Sequence, residues 1–166
     1  MLDYIDKISE QGECAIIHFL PCAIPDNDEA DFIFYSVRDY FEKTYLKEFA
    51  QKVVRIMLRL MPYYTLSGFV IGEYLGFNKK IKKYQSIYPA EQNIKNILSE
   101  KEIAEIISAS ILSKGISSVW LVFGNPSDMA IYIGTDFVVD IYNATSEQLD
   151  FLKLLVHAEG LFLWKR

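Results

Sequence analysis

Apolar side chains recur every three or four residues in four parts of the chain, a spacing that predicts amphipathic helices. The first predicted helix runs from Leu2 to Glu10 and ends at Gly12, because glycine readily adopts the left-handed conformation that ends a helix. The second region ends at Met61. It is either one long helix or two helices joined near Thr44.

The other two predicted helices begin at capping boxes. In this arrangement a Ser or Thr side chain and a Glu or Gln three residues later each accept a backbone hydrogen bond from the other residue. Ser99 and Glu102 have this spacing before an isoleucine-rich stripe, and Thr145 and Gln148 have it before a leucine-rich stripe. Gly160 is expected to end the last helix.

Short apolar segments bounded by turn residues predict strands. One strand is expected from Cys14 to Phe19. Three more form a closely spaced meander, and Leu161 to Trp164 could return as an edge strand. The meander strands are predicted at Ser118 to Phe123, Met129 to Gly134 and Phe137 to Tyr142.

Residues 63–90 are the least regular part of the pattern, because Gly68, Gly72 and Gly76 interrupt an aromatic-rich segment. A loop or a broken helix is expected there. The whole pattern predicts a single α+β domain over residues 1–166. Its helices pack on one face of a mainly antiparallel sheet that contains the C-terminal three-stranded meander.

Composition and charge narrow the function classes for this chain of 166 residues. The net charge of −5 argues against nucleic acid as the main ligand. Its uncharged stretches are too short to span a membrane. The acidic start lacks the basic n-region and apolar segment of a secretory signal, so the cytoplasm is the expected location. Cys14 and Cys22 are expected to be reduced thiols, and neither a metal nor a cofactor is predicted.

Three aspartates give the one hypothesis from the enzyme class. Asp128, Asp136 and Asp140 flank or enter the meander, and gathered carboxylates could hold Mg²⁺ in a metal-dependent hydrolase. Asp128 and Asp136 also suit turns, where aspartate accepts backbone hydrogen bonds. In an alternating strand Asp140 shares a face with Val138 and Tyr142. It either faces solvent or is partly buried beside an Arg or Tyr. No nucleophile or nucleotide-binding motif is present.

The best candidate for a contact region combines cations with aromatic rings, a composition that is enriched at protein interfaces. The predicted partner-binding residues of this contact region are Tyr74, Phe77, Lys79, Lys80, Lys82, Lys83 and Tyr84. A homo-oligomeric structural or adaptor role is an alternative, because the mean hydropathy of +0.12 indicates more apolar surface than a monomer would expose.

A small acidic domain with many aromatic residues, no catalytic set and a meander followed by a helix resembles the immunity proteins that neutralise bacterial polymorphic and contact-dependent toxins. The likeness covers the general build and the order of elements from Ser118 to Trp164. It implies a non-enzymatic protein that occludes the basic active site or substrate surface of a toxin with an acidic face. Asp26, Asp28, Glu29 and Asp31, which we call the acidic loop, could supply that face as further partner-binding residues. So could a set near the start of the chain, formed by Asp3, Asp6, Glu10 and Glu13.

Overall fold

A computed structural model of the chain describes residues 2–21, 40–72, 99–114, 116–124, 129–134 and 137–165. Within these ranges six strands form one antiparallel sheet, in the order β2–β3–β4–β5–β1–β6. The strands are β1 (Ala15–His18), β2 (Thr65–Ile71), β3 (Val119–Gly124), β4 (Met129–Ile133), β5 (Val138–Tyr142) and β6 (Phe162–Lys165). The predicted α+β fold, the meander and the edge strand are therefore confirmed.

Four helices are named here in chain order. They are α1 (Leu2–Ser9), α2 (Leu46–Leu60), α3 (Glu100–Leu112) and α4 (Ser146–Ala158). Residues 40–44 are also helical, and Tyr45 separates them from α2. Of the two alternatives that the sequence left open, the described residues therefore show two helices joined near Thr44. Gly12 and Gly160, which follow α1 and α4, both have the positive φ expected of residues that end helices.

Both predicted capping boxes are present. At the start of α3 the Ser99 hydroxyl accepts a hydrogen bond from the Glu102 N–H, and the Glu102 carboxylate accepts one from the Ser99 N–H at 2.9 Å. At the start of α4 the Thr145 hydroxyl and the Gln148 side chain make the same reciprocal pair, at 3.2 and 2.8 Å. These bonds satisfy N–H groups that the helix itself leaves free, so they fix where each helix begins.

The main core lies between one face of the sheet and helices α2, α3 and α4. Phe49, Val53 and Ile56 of α2 are fully buried there, because the three- and four-residue spacing places them on one side of the helix. They meet strand residues such as Ile131 and Ile141, which alternate with residues on the opposite face of the sheet.

Helix α1 lies against the other face of the sheet. Its Ile8 packs with Val122, Ala130 and Tyr142, and Tyr4 lies at the margin of the same cluster. Both faces of the sheet therefore bury apolar side chains, and the three longer helices cover only one of them.

The expectation of a loop or broken helix from residue 63 onward is wrong for residues 65–71. They form β2, which pairs with β3 along the outer side of the sheet. The register shifts between Leu66 and Gly68, as in a β-bulge, so Gly68 marks an irregularity within a strand rather than a break. Gly72 lies where an added Cβ would collide with the Ser118 hydroxyl, and its N–H donates to the Ser118 carbonyl at 2.9 Å. Residues 73–90 lie outside the described ranges.

Candidate partner-binding surface

The predicted contact region and the predicted acidic loop lie outside the residues that the structure describes. The residues concerned are Asp26, Asp28, Glu29, Asp31, Tyr74, Phe77, Lys79, Lys80, Lys82, Lys83 and Tyr84. Two of the three aspartates of the hydrolase hypothesis, Asp128 and Asp136, lie outside them as well. The surfaces that the structure does describe consist of other residues.

Helix α1 carries part of the other predicted acidic set. Asp3 and Asp6 of α1 and Glu10, which follows α1 directly, are exposed, and their spacing of three and four residues aligns them on one side. The exposed Lys7 lies on the same side, one helical turn after Asp3. Ile5 and Ile8 are buried on the opposite side. We call Asp3, Asp6 and Glu10 the acidic stripe, which Lys7 interrupts, while Glu13 is only partly exposed.

A second surface, which sequence reasoning missed, joins α4 to the segment after α2. Tyr63 is 68% exposed and Leu154 is 69% exposed. The Phe151 ring centroid lies 4.6 Å from that of Tyr63, and Phe151 precedes Leu154 by three residues, a spacing that places the two on the same side of α4. We call Tyr63, Phe151 and Leu154 the apolar patch. Exposed apolar side chains are ordinary when scattered singly, whereas contiguous ones mark interaction sites.

Charged residues beside the apolar patch tie α2 to the end of α4. The Arg55 guanidinium donates to Glu159 Oε2 at 2.7 Å, and that of Arg59 donates to Glu159 Oε1 at 2.7 Å. The hydrogen bond from Arg55 holds the pKa of the Glu159 carboxyl below its usual value, and the same bond raises the pKa of Arg55. This cluster therefore joins the last turns of α2 to the residue that follows α4. Because Arg59 and Glu159 are 100 residues apart, no local sequence pattern indicates this cluster of charged residues.

Asp140 lies on the sheet face away from α2, α3 and α4. Tyr142 shares that face, whereas Val139 and Ile141 belong to the main core, so the predicted alternation is confirmed. The solvent-facing alternative is wrong, because Asp140 is only 9% exposed. Its strand neighbours in the sheet are Tyr132 of β4 and Ile16 of β1.

Aromatic rings cover the part of this face next to Asp140. The Trp120 ring centroid lies 4.8 Å from that of Tyr132 and 5.0 Å from that of Tyr142. Strand pairing places Trp120, Tyr132 and Asp140 side by side across the sheet, because Trp120 of β3 is paired with Tyr132 of β4 and Tyr132 is paired with Asp140 of β5. Within the described ranges no three His, Cys, Asp or Glu side chains gather closely enough to hold a metal ion.

His18 ends β1 on the same sheet face and is 7% exposed. Its Nδ1 accepts a hydrogen bond from the Leu20 N–H at 2.9 Å, so the neutral ring carries its proton on Nε2. Burial lowers the pKa of His18 to about 4. The ring stacks on Trp164 of β6 with centroids 4.6 Å apart. These contacts describe a histidine packed as a neutral aromatic ring.

No family model, curated protein or solved structure matches this chain. Among the described residues, no helix combines the length and apolar character needed to cross a bilayer.

Proposed function

We propose that this chain is a non-enzymatic protein-binding module, an immunity or inhibitor protein that neutralises a toxin by covering its active site or substrate surface. The observation that carries the proposal is the apolar patch. Tyr63 and Leu154 each leave more than two thirds of their surface in water, and Phe151 contacts Tyr63 and lies one helical turn before Leu154. A partner that covers them would gain the burial of adjacent apolar side chains, the usual energetic centre of an interface.

Charge supports the choice of a basic partner. The chain carries a net charge of −5, and the acidic stripe of Asp3, Asp6 and Glu10 outnumbers the one lysine, Lys7, that is exposed on the same side. Such charge chiefly accelerates encounter with a basic protein and selects among partners. The apolar patch would then slow dissociation, so the two surfaces have separate roles. We assign the stripe to encounter and the patch to contact.

Capture from a lysate of the native host tests the proposal. The bait is the full chain, compared with Leu154→Asp and with Ile116→Asp as the matched control. Ile116 is also an exposed aliphatic residue, at 51%, but it follows α3 instead of lying on α4. Both positions are exposed, so neither change should disturb the fold by more than about 0.5 kcal/mol.

The proposal predicts a stoichiometric partner that wild type and Ile116→Asp retain and Leu154→Asp loses. The captured protein should also stop growth when it is expressed alone in a heterologous host, and growth should return when the chain is co-expressed. Recovery of no stoichiometric partner, or of a partner that is harmless when expressed alone, would contradict the proposed function.

A further inference from the structure

Strand β6 is an outer strand of the sheet and pairs only with β1 within the described ranges. In an antiparallel strand, alternate residues direct their N–H and C=O groups toward opposite neighbours. Some of these groups in Phe162–Lys165 therefore point away from β1. Within the part of the chain that the structure describes, no backbone hydrogen bond is made on that side.

Strand β6 lacks the usual features that prevent an outer strand from pairing with another strand. Outer strands of monomeric proteins usually carry inward-pointing charges, prolines or bulges that prevent edge-to-edge association. Here Phe162, Leu163 and Trp164 are all partly exposed, the pairing with β1 is regular, and the first charge is Lys165 at the end of the strand. The indole Nε1–H of Trp164 is buried and has no hydrogen-bond acceptor among the described residues.

From the unpaired edge and the order of side chains on it, we propose that β6 pairs antiparallel with β6 of a second copy of this chain, so that the sheet continues across a two-fold axis. Residues directly opposite in such a pair must lie on the same sheet face. Phe162 and Trp164 share the face of His18 and Ile16, whereas Leu163 lies on the core face with Ile17.

Because opposite residues must lie on the same face, the two-fold axis must pass beside a residue and not between two residues. Centring the two-fold axis on Leu163 places it opposite the partner's Leu163, and places Phe162 opposite the partner's Trp164. Each Phe162–Trp164 pair then occurs twice, because the interface is isologous. Cross-strand pairs of aromatic residues stabilise antiparallel sheets. The β6 edge is therefore complementary to a second copy of itself. A short strand buries little area, so the dimer should be weak and concentration-dependent.

This inference does not depend on the proposed function. Sedimentation velocity of the full chain from about 1 to about 500 µM should show a monomer that converts to a dimer. Phe162→Lys should weaken this association by about tenfold or more, because the change enters the interface twice. A monomer throughout the concentration range would overturn the proposal, including the case in which β6 instead pairs with a strand of another protein.

Cysteine cross-linking tests the register, in a chain whose Cys14 and Cys22 are replaced by serine. Leu163→Cys places its thiol beside its own copy across the axis, with Cβ atoms about 5 Å apart, and should form a disulfide-linked dimer on mild oxidation. Lys165→Cys is the matched control, because residues two positions from the axis would be about 13 Å from their own copies.

Efficient cross-linking at position 163 and little at position 165 would support the register. Cross-linking at 165 but not at 163, in variants whose circular dichroism matches that of the parent chain, would overturn it. Equal and slow cross-linking at both positions would indicate random collision and would also overturn it.

Discussion

The His18 imidazole stacks on the Trp164 indole, with ring centroids 4.6 Å apart and planes inclined by 26°. The contact joins β1 to β6 on the face of the sheet opposite α2, α3 and α4. Burial lowers the pKa of the ring to about 4, so the ring is neutral at neutral pH. A buried neutral histidine makes stability depend on pH.

Acidification should destabilise the protein through His18. Its pKa is 6.5 in an exposed setting and about 4 in the fold, so the unfolded chain binds a proton more readily. The stabilisation is complete above about pH 6.5 and is lost as the pH falls toward 4, by about 3 kcal/mol in total. Urea unfolding at a series of pH values should show that the fall in stability is smaller in His18→Phe than in wild type.

His157→Gln is the matched control, because it removes the exposed histidine and keeps the buried one. The fall in stability at low pH should be as large in His157→Gln as in wild type, and larger than in His18→Phe. Parallel pH curves for wild type and His18→Phe would show that burial of His18 does not control the acid response.

Breaking the contact between Glu159 and the two arginines should loosen α4 from α2. Glu159→Gln removes the charge that Arg55 and Arg59 share, and should lower the free energy of unfolding by about 1 kcal/mol at neutral pH. The cost is modest because both arginines are about half exposed and solvent screens the pair. Urea unfolding measures it. Glu10→Gln is the control, and an equal effect in both variants would refute the role of this cluster.

The low pKa of Glu159 adds a pH signature to the same comparison. A carboxyl whose pKa is lowered by folding stabilises the protein above its ordinary value of 4.5, and that stabilisation is lost as the pH falls. The difference between wild type and Glu159→Gln should therefore shrink in acid. A constant difference down to acid pH would mean that the charge of Glu159 is not the cause.

Removing the Thr145 cap should destabilise the start of α4. Thr145→Ala deletes the hydroxyl that accepts from the Gln148 N–H and should cost about 1 kcal/mol. Ser146→Ala is the neighbouring control, because Ser146 is exposed and lies after the cap. Thermal unfolding of both variants checks this. If Ser146→Ala were as destabilising as Thr145→Ala, the capping box would not be what fixes this helix end.

The parts of the fold that follow from local chemistry were predictable from the sequence. Both capping boxes depend on residues three apart, and the meander depends on short apolar segments between turns. β2 was not predictable in the same way, because Gly68 signals a break locally and is accommodated in the sheet only by pairing with β3. Tertiary pairing overrode the local signal there.

The candidate surface was less predictable than the fold. Leu154 lies off the inward-facing stripe of α4, which is a visible anomaly in the sequence. Tyr63 reaches Phe151, one helical turn before Leu154, only through the packing of α2 on α4, across a sequence separation that no local pattern spans. The burial of Asp140 also depends on what packs on its sheet face, whereas its choice of face followed from alternation alone.

The most direct test of the central claim is the affinity of the captured partner for three forms of this chain. Isothermal titration calorimetry with purified partner should give similar dissociation constants for wild type and Ile116→Asp. Leu154→Asp should bind at least about tenfold more weakly, because it places a charge in the apolar centre of the contact. Equal affinity for all three forms would contradict the assignment of the apolar patch as the partner-binding surface.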